Sequence, residues 1–127
     1  MQDFPAPAAI LAAVSAWLRE TAAPNLPSHA AFEAKVAASA VDLCARAMEA
    51  GPAEAAEQAR LTALLGREGG LSELTEALSA AIKAGDVDLS TPGLADHLWR
   101  TTLEKLAVDQ PGFAPYRRAR TAETQEG

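Results

Sequence analysis

The sequence predicts an all-α fold, and three observations carry that prediction. Alanine and leucine dominate while β-branched residues are sparse, a composition that favours helix over strand. Apolar residues recur at intervals of three and four, the helical period. Prolines and glycines fall between the periodic stretches, where they punctuate helices. The expected architecture is one domain over residues 1–116, a compact bundle of about five helices with helix two (about 28–50) at its centre. Residues 117–127 are expected to form a disordered tail.

The first helix is expected over about 7–21, introduced by Pro5 and Pro7. Ile10, Val14, Trp17, Leu18 and Thr21 share one face, with Ser15 and Arg19 opposite. The second helix follows Pro27, with Ser28 as N-cap and Gly51 as its stop. At 100° per residue, Lys35, Ser39, Asp42, Arg46 and Glu49 form one narrow polar stripe. Phe32, Val36, Ala40, Leu43 and Ala47 lie to one side of it, and Ala37, Val41, Cys44 and Met48 beyond. So wide an apolar arc predicts two neighbours, hence the central position.

The third helix, about 52–65, opens on Pro52 and has its anchors, Leu61, Leu64 and Leu65, in its second half. "GREGG" (66–70) is a turn: it lacks the Lys-Ser/Thr of a phosphate-binding loop, and no strand precedes it. The fourth helix spans about 71–84, with Leu71, Leu74, Leu78, Ala81 and Ile82 inward and Gly85 as its stop. The fifth begins at Thr91-Pro92 and ends near Asp109. Leu94, Leu98, Trp99, Thr102, Leu103 and Leu106 form its inner face; His97, Arg100 and Glu104 lie outside, with Arg100 and Glu104 an i,i+4 pair. Gln110-Pro111 breaks the helix, and Phe113 and Tyr116 are expected to fold back over the core.

Length and charge narrow the function. The chain of 127 residues carries a net charge of −6. Arg117, Arg118 and Arg120 concentrate positive charge near its end, so the rest is more acidic still. Such a body repels phosphate backbones, and nucleic-acid binding is not expected. No apolar run reaches the ~18–20 residues of a membrane span, and "MQDFPAPAAILAAV" has no basic segment before its apolar run, unlike a signal peptide. A single cysteine, Cys44, fits a reducing compartment. A cytoplasmic protein is the expectation.

The candidate chemistry is thin. His29 and Glu33 are spaced i,i+4, but one histidine and one glutamate do not make a metal site. Glu33 falls inside the apolar arc and is expected to reach a cation such as Lys105 or Arg117. Cys44 lies on the apolar arc and reads as a core side chain rather than a nucleophile; core packing accounts for Trp17 and Trp99, and an aromatic ligand pocket fits the same pattern. "DVDLSTPG" begins like a calcium loop without its later ligands. No catalytic constellation, metal site or cofactor site is expected.

The segments "FEAKVAASAVDLCARAMEAGP", "AEQARLTALLG", "LTEALSAAIKAG" and "HLWRTTLEKLAVDQPGFAPY", in that order, resemble a small bacterial family of unknown function. That family is all-helical and occurs fused or adjacent to kinases of the aminoglycoside-phosphotransferase type, in the company of acyl-CoA dehydrogenases. The resemblance covers most of residues 5–118 and rests on packing patterns, with no catalytic signature. The family pattern Phe-His-x-Arg-Val-Ala-Ala-Asn stands here as Phe32 to Ser39, and its Asn-Pro as Gln110-Pro111. Glu33, Lys35, Ser39 and Gln110 therefore correspond to the family's polar positions, and Glu33 in place of histidine speaks against histidine-dependent chemistry.

The resemblance implies a non-catalytic accessory or regulatory domain partnering a phosphotransferase-like kinase or an acyl-CoA dehydrogenase. The alternative is a ligand-binding or enzymatic bundle. Its site would lie where the start of helix two meets the C-terminal segment, using Glu33, Lys35, Ser39, Lys105, Gln110, Tyr116 and Arg117. A homodimer is compatible with either.

Overall fold

A computed structural model describes residues 5–126; the chain start, on which the signal-peptide reading partly rests, and Gly127 lie outside them. All regular structure among the described residues is helical. The described residues form six α-helices rather than five: α1 (Pro7–Trp17), α2 (Ser28–Met48), α3 (Gly51–Leu65), α4 (Leu71–Ala84), α5 (Leu94–Asp109) and α6 (Ala114–Glu126). The chain divides between Ala50 and Gly51 into two compact units.

In the first unit, α1 runs into a widened π-helical turn (Leu18–Ala22) and a short 3-10 turn (Ala23–Asn25) before Pro27. Ser28 is the first helical residue of α2 and not its cap: Pro27 holds the cap position, with no side-chain hydrogen bond. The packing of α1 on α2 reverses the face expected for α1. Ser15 is buried, and its hydroxyl donates to the Ala38 carbonyl at 3.4 Å. Ile10, Val14 and Trp17 are exposed. The physical reason is size: α2 turns Ala34 and Ala38 toward α1, and such small residues bring a backbone carbonyl within reach of a serine. Within its own unit helix two is correspondingly not buried on two sides. Its partners within its unit are α1 and the turns that follow it, while Phe32, Val36, Leu43 and Met48 remain exposed. Cys44, expected in the core, is exposed as well.

The second unit has a leucine core. Leu61 of α3, Leu74 and Leu78 of α4 and Leu94 of α5 form one buried cluster, flanked by Leu65, Leu71 and Val87. Helix α4 matches its expected span, and Gly85, at φ +81°, stops it in the left-handed region that glycine tolerates. Helix α5 starts two residues later than expected, with Leu94 rather than Pro92 as its first residue, because residues 91–93 form a turn. Its cap, Gly93, stands at φ +89°, and the Leu94 N–H donates to the Thr91 carbonyl at 3.2 Å. A Cβ on Gly93 would also meet Leu64 Cδ2 at 3.3 Å. Gly93→Ala is therefore expected to destabilise the unit by about 1–2 kcal/mol, the cost of a left-handed non-glycine residue; urea denaturation measures it.

The sixth helix replaces the expected tail over residues 117–126. The segment lacks apolar anchors beyond Tyr116 but is rich in alanine, arginine, glutamate and glutamine, all good helix formers. Thr121 and Thr124 return their hydroxyls to the carbonyls of Arg117 and Arg120, each at 3.0 Å. Tyr116 is buried as expected of a clamp, whereas Phe113 is largely exposed. Gln110 ends α5 as its proline neighbour requires.

Candidate functional site

The most connected polar cluster among the described residues joins α3 to α5 in the second unit. Arg60 sits one residue before the core leucine Leu61, so its side chain leaves the helix at the edge of the core. Its Nε donates to His97 Nδ1 at 3.3 Å, and its terminal nitrogens donate to the two Glu104 carboxylate oxygens at 3.3 and 3.1 Å. A further bond runs to Thr101 Oγ1 at 3.3 Å. His97, Thr101 and Glu104 are spaced i, i+4 and i+7, which places them on one face of α5. His97 is buried, opposite to the outer position expected for it. The expected Arg100–Glu104 pair is replaced by two others: Arg100 pairs with Asp96 at 3.0 Å and Glu104 with Arg60.

The chemistry of this cluster follows from its donors. Arg60 Nε–H points at Nδ1, so Nδ1 is the unprotonated nitrogen and Nε2 carries the hydrogen. Burial, with the Arg60 charge adding to it, holds the His97 pKa below its ordinary 6.5. Glu57, Glu104 and Asp96 oppose that shift. A neutral imidazole whose acceptor nitrogen is occupied is not poised as a base, and an arginine clamped by a carboxylate is not a free anion site. The adjoining cleft, lined by Arg60, Ala63, Leu64, Pro92, Gly93 and Asp96, has about 240 Å³, below the ~300–1,000 Å³ of ordinary small-molecule pockets. The arrangement is a lock between helices. As pH falls below 6.5 the unfolded chain takes up the imidazole proton first, so acid favours the unfolded state. Stability of the second unit is expected to be at full value above pH ~6.5 and to decline as pH drops through the lower folded value. Comparing denaturation midpoints at neutral and mildly acid pH tests this, and His97→Gln is expected to flatten that part of the profile.

The first unit carries a smaller network. Arg19 donates to Asp42 at 2.7 Å and to Ser39 at 3.3 Å. The Ser15 hydroxyl and the Arg19 guanidinium hold the Asp42 carboxyl below its usual range. Among the described residues, no group of three or more His, Cys, Asp or Glu side chains is placed to hold a metal ion.

The profile of a domain of unknown function (DUF6285) matches residues 24–113, well over half the chain. The chain belongs to the DUF6285 family. No curated protein and no solved structure matches it. The span matched by the DUF6285 profile includes all four residues of the Arg60 cluster; Ser15, Arg19 and the whole of α6 lie outside it.

Within this DUF6285 chain the sequence-predicted candidates fall into the two units. In the first, Glu33 is exposed and pairs with His29 Nε2 at 3.1 Å. Lys35 is exposed and gives its carbonyl to the Ser39 hydroxyl at 3.2 Å, while Ser39 also accepts from Arg19. In the second, Lys105 is exposed on α5 and Gln110 caps that helix. Tyr116 is buried, its hydroxyl accepting from Arg120 at 3.4 Å, with the guanidinium carbon 5.9 Å from the ring centre. Arg117 lines an open groove of about 450 Å³ along the outer side of α6 with Arg118, Thr121 and Gln125. Sequence reasoning missed Arg60 altogether. The available signal was the shared face of His97, Thr101 and Glu104, which calls for a cation facing it.

Proposed function

We propose that this DUF6285 chain is a non-catalytic accessory domain acting in the cytoplasm, which docks on a phosphotransferase-like kinase in acyl-CoA-related metabolism. The observation that supports docking is the exposure of its largest apolar side chains: Trp17 at 57%, Phe32 at 67% and Trp99 at 50%. Aromatic side chains left in water are the usual anchors of protein interfaces. The choice of a kinase partner rests on the family resemblance. No helix among the described residues is long and apolar enough to cross a membrane. Co-expression with a kinase encoded beside the gene tests the reading. Co-elution, or a change in kinase activity, is the expected result; separate elution with unchanged activity overturns it. A thermal-shift panel of nucleotides, acyl-CoAs and sugar phosphates covers the ligand-binding alternative, since a ligand at a hundredfold excess over Kd stabilises by about 2.7 kcal/mol.

A further inference from the structure

We propose that the outer face of α6 is a docking surface for a short acidic segment of a partner protein. The arginines of this chain find partners within it, with one exception. Arg19 pairs with Asp42, Arg60 with Glu104, Arg67 with Glu73 and Arg100 with Asp96. Arg46 lends its charge to Asp42. Arg120 donates to the Tyr116 hydroxyl and lies over its ring. Those that remain are neighbours, Arg117 and Arg118. Both are exposed, and among the described residues neither side chain has a hydrogen-bond or ion-pair partner. Together they line the groove of about 450 Å³ on α6.

Charge and shape choose the occupant. The chain has a net charge of −6, so it is not short of carboxylates, yet none is placed against this pair. At 100° per residue Arg117, Thr121 and Gln125 share one face with Arg118 beside them, while Glu123 and Glu126 turn away. Glu123 is engaged elsewhere, accepting from Trp99 Nε1 at 3.2 Å. The first turn of α6 holds no acidic residue, so the positive end of the helix adds to the guanidinium charges instead of offsetting them. Leaving the pair unmatched costs stability, and an anion from outside the chain relieves that cost. The face runs from Ala114 to Gln125, about 16 Å of helix, and is open along its length. That form suits a peptide segment better than a small ligand, which takes an enclosed pocket. Guanidinium groups hold carboxylates through a two-bond fork, and Thr121 and Gln125 add polar atoms along the same face. A nucleic acid is a longer polyanion that meets the acidic remainder of the chain and is repelled, whereas a short segment touches α6 alone.

The test is fluorescence anisotropy of a labelled oligoglutamate peptide, about as long as the groove, titrated with the full chain. The expected result is saturable binding that weakens as salt is added. The double variant Arg117→Gln with Arg118→Gln is expected to bind about tenfold more weakly or worse, the loss of hydrogen bonds to charged groups. Lys83→Gln with Arg100→Gln removes the same charge from exposed positions on α4 and α5, and is expected to bind as the wild type does. Glutamine is a good helix former, and the α6 variant sheds repulsion at the helix start, so its melting temperature is expected to match or exceed that of the wild type. No binding of the peptide overturns the proposal, as does equal weakening in both double variants. A lowered melting temperature of the α6 variant also overturns it, because the arginines would then serve the fold. Tighter binding of inorganic phosphate or of an oligothymidylate than of the peptide overturns it in favour of those anions. The probe contains no kinase, so none of these outcomes bears on the kinase reading.

Discussion

Leu61→Ala is expected to lower the unfolding free energy of the second unit by about 2–5 kcal/mol, the range for emptying a well-packed leucine site. Leu61 is fully buried and belongs to the same cluster as Leu74, Leu78 and Leu94. That cluster draws one or two residues from each of three helices, so few neighbours can relax into the space left behind. Its loss removes apolar transfer energy and leaves a cavity, and the two costs add. Single domains are stable by about 5–15 kcal/mol, so one such truncation removes a large fraction of the total. Urea denaturation followed by circular dichroism gives the number. Leu98→Ala is the control: Leu98 is 40% exposed, so its truncation is expected to cost under about 1 kcal/mol. Equal costs for the two would mean that the core is not centred on Leu61.

Arg60→Met is expected to be the costliest polar change, at about 2–3 kcal/mol. The Arg60 and Glu104 side chains are 19% and 27% exposed, so the pair is neither a surface bridge nor a fully desolvated one. Breaking a fully buried pair costs about 3–5 kcal/mol and an exposed pair is worth under about 1; the estimate lies between. Methionine keeps much of the volume and removes every donor, leaving Glu104, Thr101 and His97 Nδ1 without the cation that serves all three. Arg60→Lys is not expected to rescue, because an ammonium offers no planar fork for a carboxylate and an imidazole together. Arg100→Met is the comparison. Arg100 and Asp96 are each 58% exposed, and its loss is expected to cost under about 0.5 kcal/mol. A double-mutant cycle between Arg60→Met and Glu104→Gln isolates the pair, with a coupling of at least about 1 kcal/mol expected if the lock is real.

The legible part of this molecule is its punctuation. Helix α4 begins and ends where its leucine period and Gly85 place it, and α5 stops at Gln110 before Pro111. Helix α3 opens within a residue of Pro52. Residues 117–126, expected as a tail for want of anchors, are helical: a segment without apolar residues still forms a helix when propensity favours it and Tyr116 holds its first turn. The first residues of α5 were misjudged for the opposite reason, since Thr91-Pro92 carries a start signal that Gly93 overrides by entering the left-handed region. Of the candidate site residues, the positions Glu33, Lys35 and Ser39 were placed on the right helix, but the partner of Glu33 is its own helix neighbour His29, because an i,i+4 contact needs no long-range fold.

The sequence by itself determined the helical class and most helix limits. Those depend on the backbone freedom of single residues: a proline restricts itself and the residue before it, and a glycine admits φ values closed to others. Only the tertiary structure decided which side of each helix is buried. Periodicity ranks faces by apolarity, and it ranked Ser15 and His97 outward. Both are inside, because Ala38 lets a backbone carbonyl approach Ser15 and Arg60 supplies the donor that His97 needs. A polar group is buried when a partner distant in the chain satisfies it, and that partner is invisible in the local pattern.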